Sequence, residues 1–438
     1  SCITALLAGS LPAWQATRVG ISQSLKSGGN TGGTGAGTGS RQVLTAAQVA
    51  VSIVLLVGAS LVLRSLLKLK GVNPGFDARN VLMMEVNPTY NGDEPAQTRV
   101  DRFSRLLQRI SEMPGVDAVG ANNSPPFVPQ RPWNRAEFTA EHQSVDEQSR
   151  NPRANFQTVS SDYFRTLRIP LLSGRVFDER DKLKATPVCL ISEALAKRLW
   201  PGADPVGQRL KLGKPEGGPN PDWMVIAGVV GDVRHQSLGG EPGPDLYLPS
   251  LQLAWKQMHF LVRARDGLGT DPLALIPALQ KEIARTAPEV GAFNFVSLEK
   301  EVGNSLWQSR LRGWLLGFFS AVALLLAAAG LSGAIAYGVA QRTREIGIRM
   351  ALGATRGSVL RLVLGQGLRA VAIGLVAGLG GALIVSRVLN ASLFGVSSHD
   401  LTSYGAACLL LAVTAAIAAF IPARRASQVN PMEALRAE

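Results

Sequence analysis

The sequence predicts an α-helical membrane protein with four transmembrane helices and a large α+β extracytoplasmic domain. Three observations carry that fold class. Residues 42–63, 313–341 and 401–423 contain no charged side chain, and 370–386 is equally free of charge between Arg369 and Arg387. A helix rising ~1.5 Å per residue needs about 20 apolar residues to cross ~30 Å of hydrocarbon. Three runs meet that length outright. The 370–386 run meets it when Arg369 and Arg387 extend their heads to the two interfaces. The second observation is partition of charge: residues 71–306 hold 27 Lys/Arg against 28 Asp/Glu, whereas the rest holds 18 bases against 4 acids. The third is that 71–306 lacks such runs and shows short alternating and helical patterns instead. Buried helices of a large soluble protein fit less well, because soluble cores seldom run this far without a charge.

From the N-terminus, Ser1-Cys2-Ile3-Thr4-Ala5-Leu6-Leu7-Ala8 has the composition of the last turns of a helix. The two ends of the chain then resemble each other. Leu11-Pro12-Ala13-Trp14-Gln15-Ala16-Thr17-Arg18-Val19 matches Ile421-Pro422-Ala423-Arg424-Arg425-Ala426-Ser427-Gln428-Val429. Each stretch continues to a Leu-basic pair, Leu25-Lys26 and Leu435-Arg436. Residues 1–27 are therefore expected to end a preceding unit, as the last turns of a span and a cytoplasmic tail, with residues 41–438 forming a second unit. Between them, 28–41 is Gly-rich. No Gly-Lys-Ser/Thr closes that run and no strand precedes it, so it suits a flexible linker and not a phosphate loop. The expected spans are 42–66, 311–340, 361–389 and 401–422, with a cytoplasmic loop at 341–360 and a tail at 423–438.

Orientation follows from the flanks. The tail before Gln42, the 342–369 loop and the end after Pro422 together hold twelve Lys/Arg, and the opposite ends of the spans hold six. Positive residues accumulate on the cytoplasmic side. Both termini are thus expected inside and 71–306 outside. The pI of about 10.1 is a property of these flanks, and nucleic-acid binding does not follow from it.

Within 71–306, Asn80–Asn87 is strand-like. Asp93 can cap a helix with Pro95 in its first turn, and Val100, Phe103, Leu107 and Ile110 line one face. Met113-Pro114-Gly115 ends that helix and a strand starts at Val116. The pattern returns late in the domain: His259–Arg265 as strand, Asp271-Pro272 opening a helix with Leu275, Leu279 and Ile283 on one face, then a strand from Val290. Two β-α-β halves flank a middle insert. In the insert, Pro187–Ile191 and Trp223–Val230 read as buried strands, and Ser192 caps a short helix running to Trp200.

Signs of catalysis are sparse. His142, His235, His259 and His399 are scattered, without a second ligand at metal spacing, and HExxH and Gly-x-Ser-x-Gly are absent. Gly330-Leu331-Ser332-Gly333 lies mid-span, where small residues serve helix approach. Asp178-Glu179-Arg180-Asp181 fits a solvated loop, and Asp232-Val233-Arg234-His235 a polar turn. Cys2, Cys189 and Cys408 imply no disulfide framework. Nothing implies a cofactor or a metal. Since no acidic or His residue lies inside a span, an intramembrane proton or sodium relay is not indicated, and energy for transport would have to reach the chain from outside.

Two features suit such an input. Gly374, Gly378 and Ala382 give one span a small-xxx-small face for close helix packing. Between two spans lies Arg342-Thr343-Arg344-Glu345-Ile346-Gly347-Ile348-Arg349-Met350-Ala351-Leu352-Gly353-Ala354. Arg342, Arg344 and Arg349 can pair with an acidic partner surface, and Glu345 can bridge Arg349 at i,i+4. Gly347 and Gly353 allow close backbone approach and a turn.

From Arg344 to Ala354 this segment closely resembles the signature of MacB-like and FtsX-like ABC transporter permeases. The layout of one span, a large exported domain and three further spans agrees with it. The phrases Tyr163-Phe164 to Gly174-Arg175, Ile191-Ser192-Glu193-Ala194-Leu195-Ala196 and Asp204-Pro205-Val206-Gly207 are similar to that family's periplasmic core. The repeated tail at 1–27 further resembles acidobacterial-type duplicated permeases. The resemblance implies a periplasmic core domain at 71–306 with porter-like halves and an inserted lobe, and an FtsX-like permease domain at 311–431. It implies pairing with a second permease unit, either a preceding half of the same chain or a homodimer partner, within inner-membrane lipid. It also implies a separate cytoplasmic ABC-type ATPase that contacts Arg342, Arg344, Glu345, Ile346, Gly347, Arg349, Met350, Gly353 and Ala354. The expected function is mechanotransmission: ATPase motion passes through this loop to the exported domain and drives export or extraction, with no catalysis in this chain. The alternative is a membrane-anchored sensor or scaffold without transport.

Overall fold

The computed structural model describes residues 36–88, 94–128, 135–141, 143–213, 223–253, 255–265, 271–341, 345, 348–349, 352, 355–389 and 393–426. The repeated tail expected at 1–27, the cap at Asp93 and His142 lie outside these residues. The chain divides into two units: one contains 36–61, 316–389 and 397–426, the other 62–315 with 393–396.

Among the described residues four helices are long and apolar enough to cross a membrane: α1 (Ala36–Lys70), α8 (Trp307–Gln341), α9 (Arg356–Leu389) and α10 (Leu401–Ala426). They run longer than the expected spans. Helix α1 begins inside the Gly-rich stretch assigned to a linker, and α9 begins inside the stretch assigned to the 341–360 loop. Apolar cores extended by polar turns explain both, since helix continues where no proline or cap stops it. In the first unit α1 buries Val49, Ile53, Val57 and Leu61, a stripe repeating every four residues. Large apolar side chains on α8 and α9 remain exposed, among them Leu325, Val376 and Ile384. That pattern suits a hydrocarbon surrounding.

In the second unit the labels run in chain order: β1 (Val81–Pro88), α2 (Ala96–Ser111), β2 (Val116–Asn122), β3 (Arg135–Ala136), β4 (Phe138–Ala140), α3 (Val145–Ser149) and β5 (Ala154–Val159). Then come α4 (Tyr163–Leu167), β6 (Leu171–Gly174), β7 (Val188–Ser192), α5 (Glu193–Leu199), β8 (Arg209–Leu212), β9 (Met224–Val230) and β10 (Asp245–Pro249). The unit ends with β11 (Met258–Ala264), a 3-10 turn (Pro272–Leu275), α6 (Ile276–Thr286), β12 (Val290–Ser297) and α7 (Leu298–Ser305).

The two β-α-β halves interlock. Their strands lie in the order β12-β1-β11-β2, all neighbours antiparallel, so each half contributes one central and one outer strand. Helices α2 and α6 cover one face, burying Phe103, Leu106, Ile110, Leu279 and Ile283 against Leu82, Met84 and Phe260. The inserted part does not form a sheet of its own. It extends the same sheet as β5-β10-β7-β9-β8-β4, with β3 on β5 and β6 on β9. Parallel pairing occurs at β5/β10 and β7/β9. The junction between β2 and β5 is a single register pair, Asn122 with Val159. It is covered by α4, whose Tyr163, Phe164 and Leu167 join a core with Val81, Leu261, Val230 and Tyr247.

Local chemistry accounts for the ends. Helix α2 starts with Pro95 itself in the cap position, one residue outside the first turn that the sequence suggested. Ser192 Oγ accepts the Leu195 amide at the start of α5 as expected, and Ser144 with Glu147 forms a capping box on α3. Leu107 is only partly buried, and Leu106 takes the central place on the α2 face.

Candidate functional site

The loop candidates divide by what is described. Arg342, Arg344, Ile346, Gly347, Met350, Gly353 and Ala354 lie outside the described residues. Glu345 and Arg349 are described, and Arg349 Nη2 lies 2.7 Å from Glu345 Oε1. Both are about half exposed, at 46% and 49%. Glu345, Ile348 and Arg349 are helical, and the Leu352 amide donates to Ile348 O at 3.0 Å.

The small-residue face of α9 abuts α1. A methyl group at Gly374 would lie 2.5 Å from Ala46 O and 2.7 Å from Val49 Cβ. At Gly378 it would collide with Ile53 Cγ2 and lie 2.8 Å from Ala50 O. Ala382, one turn further, is 2% exposed. The glycines thus let the α9 backbone lie directly on α1 side chains, a seam that depends on their missing Cβ. Two further close approaches join these helices to α8. Gly367 of α9 faces Ile335 Cδ1 of α8, and Gly330 of α8 receives the amide head of Gln48 from α1. Gln48 Oε1 is buried without a hydrogen-bond partner. Sequence reasoning missed this socket, although a lone Gln within an apolar run facing a Gly-rich helix was a usable signal.

The 62–315 unit carries structural polar clusters where chemistry was sought. Among the described residues no group of His, Cys, Asp and Glu could hold a metal ion. The Asp178–Asp181 segment is not wholly solvated. Asp181 is 3% exposed and receives Arg175 Nη1 and Nη2 at 2.7 and 2.8 Å. Burial works most strongly against its charge, but the hydrogen bonds from Arg175 and the Asp178 amide, with the Arg175 charge, together outweigh that and leave its carboxyl below the ordinary range. The 232–235 segment is likewise more than a turn. Asp232 Oδ1 accepts the Ala194 amide at 2.7 Å, and burial raises its carboxyl pKa. His235 is buried, with Nε2 2.9 Å from Asp245 Oδ2. Asp245 Oδ1 accepts Asn155 Nδ2 at 2.9 Å, and the Asp245 amide donates to Ser192 Oγ at 3.0 Å. Cys189 is fully buried, and burial pushes its thiol up. The Asp181, Asp232, His235 and Asp245 side chains all bond to neighbours within this unit.

One segment joining two membrane helices belongs to this unit. Phe394, between α9 and α10, donates its amide to Ser65 Oγ of α1 at 2.8 Å, and Lys68 Nζ donates to Gly395 O. The Phe394 ring packs on a cluster of Leu69, Leu238 and Leu306.

Comparison with known proteins matches this architecture. The family model described as the MacB-like periplasmic core domain matches residues 43–282, and the FtsX-like permease C-terminal model matches 317–431. The pyoverdine export ATP-binding/permease protein PvdT of Pseudomonas aeruginosa is 28% identical over 290 residues, covering 64% of this chain and 42% of that protein. The macrolide export ATP-binding/permease protein MacB of Chromobacterium violaceum is 28% identical over 311 residues, covering 68% and 46%. The chain thus spans less than half the length of these relatives. The periplasmic region of MacB from Actinobacillus actinomycetemcomitans aligns with a TM-score of 0.33 at 17% identity, over 50% of this chain and 90% of that one. With the core-domain model alone covering more than half of its residues, and the second model covering its last three spans, the protein belongs to the family of permeases with a MacB-like periplasmic core domain and an FtsX-like C-terminal region.

Proposed function

We propose that this chain is the permease of an ABC-type exporter in a bacterial inner membrane, worked by a separate cytoplasmic ATPase. The observation that carries the reading is the pairing of two matched regions, 43–282 and 317–431, on one chain whose four spans bracket the core domain. The relatives are named as export proteins, which supports export or extraction as the outcome. The excess of basic flanks supports cytoplasmic termini and a periplasmic 71–306 domain. In this reading the ATPase grips Arg342–Ala354, the push enters α8 and α9, and the Gly374–Gly378 seam passes it to α1. A second permease unit completes the complex. The chain contributes binding and motion, and no bond-making step.

The test replaces Arg344 and Glu345 with Ala in the full chain and captures the ABC-type ATPase from the native membrane. Loss of capture or of ATPase stimulation, with membrane insertion intact, is expected. Unchanged capture and stimulation would sink the docking role of this loop. Capture of a kinase or hydrolase in place of an ATPase would favour the sensor or scaffold reading.

A further inference from the structure

The turn at 393–396 is joined along the chain to residues 62–315 through α9, the 342–355 segment and α8, yet it is part of that unit. Three contacts of different kinds hold it there. The Phe394 amide donates to Ser65 Oγ at 2.8 Å, Lys68 Nζ donates to the Gly395 carbonyl, and the Phe394 ring lies on Leu69, Leu238 and Leu306. Ser65, Lys68 and Leu69 are spaced i, i+3 and i+4, so they present one face of α1. Gly239 completes the seat. A methyl there would lie 3.2 Å from Leu69 Cδ2 and 3.4 Å from Phe394 Cδ2, so the two side chains close over Gly239 with little room to spare. Gly395 has φ +63°, a left-handed turn that sets the carbonyl towards Lys68. A loop whose sole task was to join two helices would need none of this.

We propose that Phe394 is a positioning residue that seats the α9–α10 hairpin on the exported unit, so that movement of the hairpin enters that unit at Leu238, Gly239 and Leu306. This rests on the permease reading above and adds a third path beside the continuous helices α1 and α8. The path through α1 is covalent, whereas the one through Phe394 is a removable contact. That difference allows the two to be separated.

The experiment is hydrogen exchange on the full chain in lipid nanodiscs, without nucleotide or ATPase. Gly378→Val wedges α9 away from Ile53 and perturbs the hairpin at a distance. With Phe394 present, exchange at amides 238–240 and 302–306 should change about ten-fold, as a sub-global opening would. Adding Phe394→Ala should abolish that remote change and leave the local change at 46–57, and Phe394→Leu should restore the remote change. A remote response that survives Phe394→Ala, or that never arises with Phe394 present, overturns the proposal. If Gly378→Val does not insert, Gly381→Ala supplies a milder wedge, its methyl 3.2 Å from Val54 Cγ2, and the same comparison decides. Because no ATPase is present, failure here is separate from failure of docking at 342–354.

Discussion

Arg263 donates through Nε to the carbonyl of Thr166 at 2.6 Å from a side chain only 1% exposed. The same guanidinium donates to Arg79 O at 2.8 Å and Asp77 O at 2.6 Å. One cation on β11 thereby ties the end of α4 to the chain entering β1. Arg263→Met would leave three carbonyls without that donor in a dry site. A destabilisation of about 3–5 kcal/mol is expected, as for other broken buried charge networks. Denaturant titration of the full chain in detergent, followed by exchange of the β1–β11 ladder, measures it. A loss below about 1 kcal/mol would show the guanidinium to be dispensable.

Asp77 gives this corner a pH dependence. Side-chain hydrogen bonds from Arg79 hold its carboxyl at about 2, against an ordinary value of 3.8. Arg168 adds a contact at 3.0 Å. The unfolded chain therefore takes up the proton first as pH falls, so stability is present above the ordinary value and declines from roughly pH 5 towards pH 2. Asp77→Asn should flatten the acid limb of a stability-against-pH curve and leave its neutral region nearly level with pH. An unchanged acid limb in the variant would assign the effect to other carboxylates.

A buried pair makes a sharper test of side-chain identity. Asp245 accepts from His235 and Asn155 at 2.9 Å each, and all three are buried. Asp245→Ala removes the acceptor of His235, Asn155 and, at 3.5 Å, the Tyr247 hydroxyl, and is expected to cost about 2–4 kcal/mol. His235→Phe with Asp245→Leu removes donor and acceptor together and should cost less than the single change. Thermal melts of the full chain compare the two, and a double variant no better than Asp245→Ala would count against a role confined to mutual satisfaction.

At the helix seam, Gly378 and Ile53 are close enough that any added carbon must displace one of them. Gly378→Leu is expected to cost about 1–3 kcal/mol by overpacking and to lower folded yield. Gly380→Leu, one turn face away, meets nothing within 4 Å and should be tolerated. Equal yields for the two variants, read by size-exclusion profiles of solubilised protein, would deny the seam its importance.

The four spans were legible because freedom from charge over a long run is a local property that survives any packing. The β1-α2-β2 and β11-α6-β12 halves were legible for a related reason, since period-2 and period-3.6 patterns at 80–122 and 258–297 record one buried face each. Short strands such as β3 and β6 have too few residues to show a period. They exist because β5 and β9 offer an edge to pair with. The interlocking of the halves, the Arg263 contacts and the Phe394 seat join residues far apart in the chain, and no local pattern encodes them. Asp181 and His235 sit in polar runs that look solvated, and only burial by distant strands reverses that reading. The Glu345–Arg349 pair was legible because a helical i,i+4 spacing fixes both partners.

That pair also offers the cleanest separation of stability from docking. It lies on an exposed helical turn, where an i,i+4 ion pair contributes about 0.3–0.5 kcal/mol. Removing it should therefore leave the fold almost untouched. Exchanging the charges, Glu345→Arg with Arg349→Glu, keeps an ion pair on the turn but moves the acid to its other end. If the segment serves only as a wet connector, the exchanged protein behaves like the parent in every assay. If it docks on an ATPase surface of fixed charge pattern, the exchange places like charges together at two points. ATPase capture should then fall by about ten-fold or more, since opposed charges at an interface cost kcal/mol-scale energies. Glu345→Gln alone should fall between parent and exchanged protein. Capture measured at two salt concentrations completes the test, because an electrostatic defect narrows as ionic strength rises, whereas a folding defect does not.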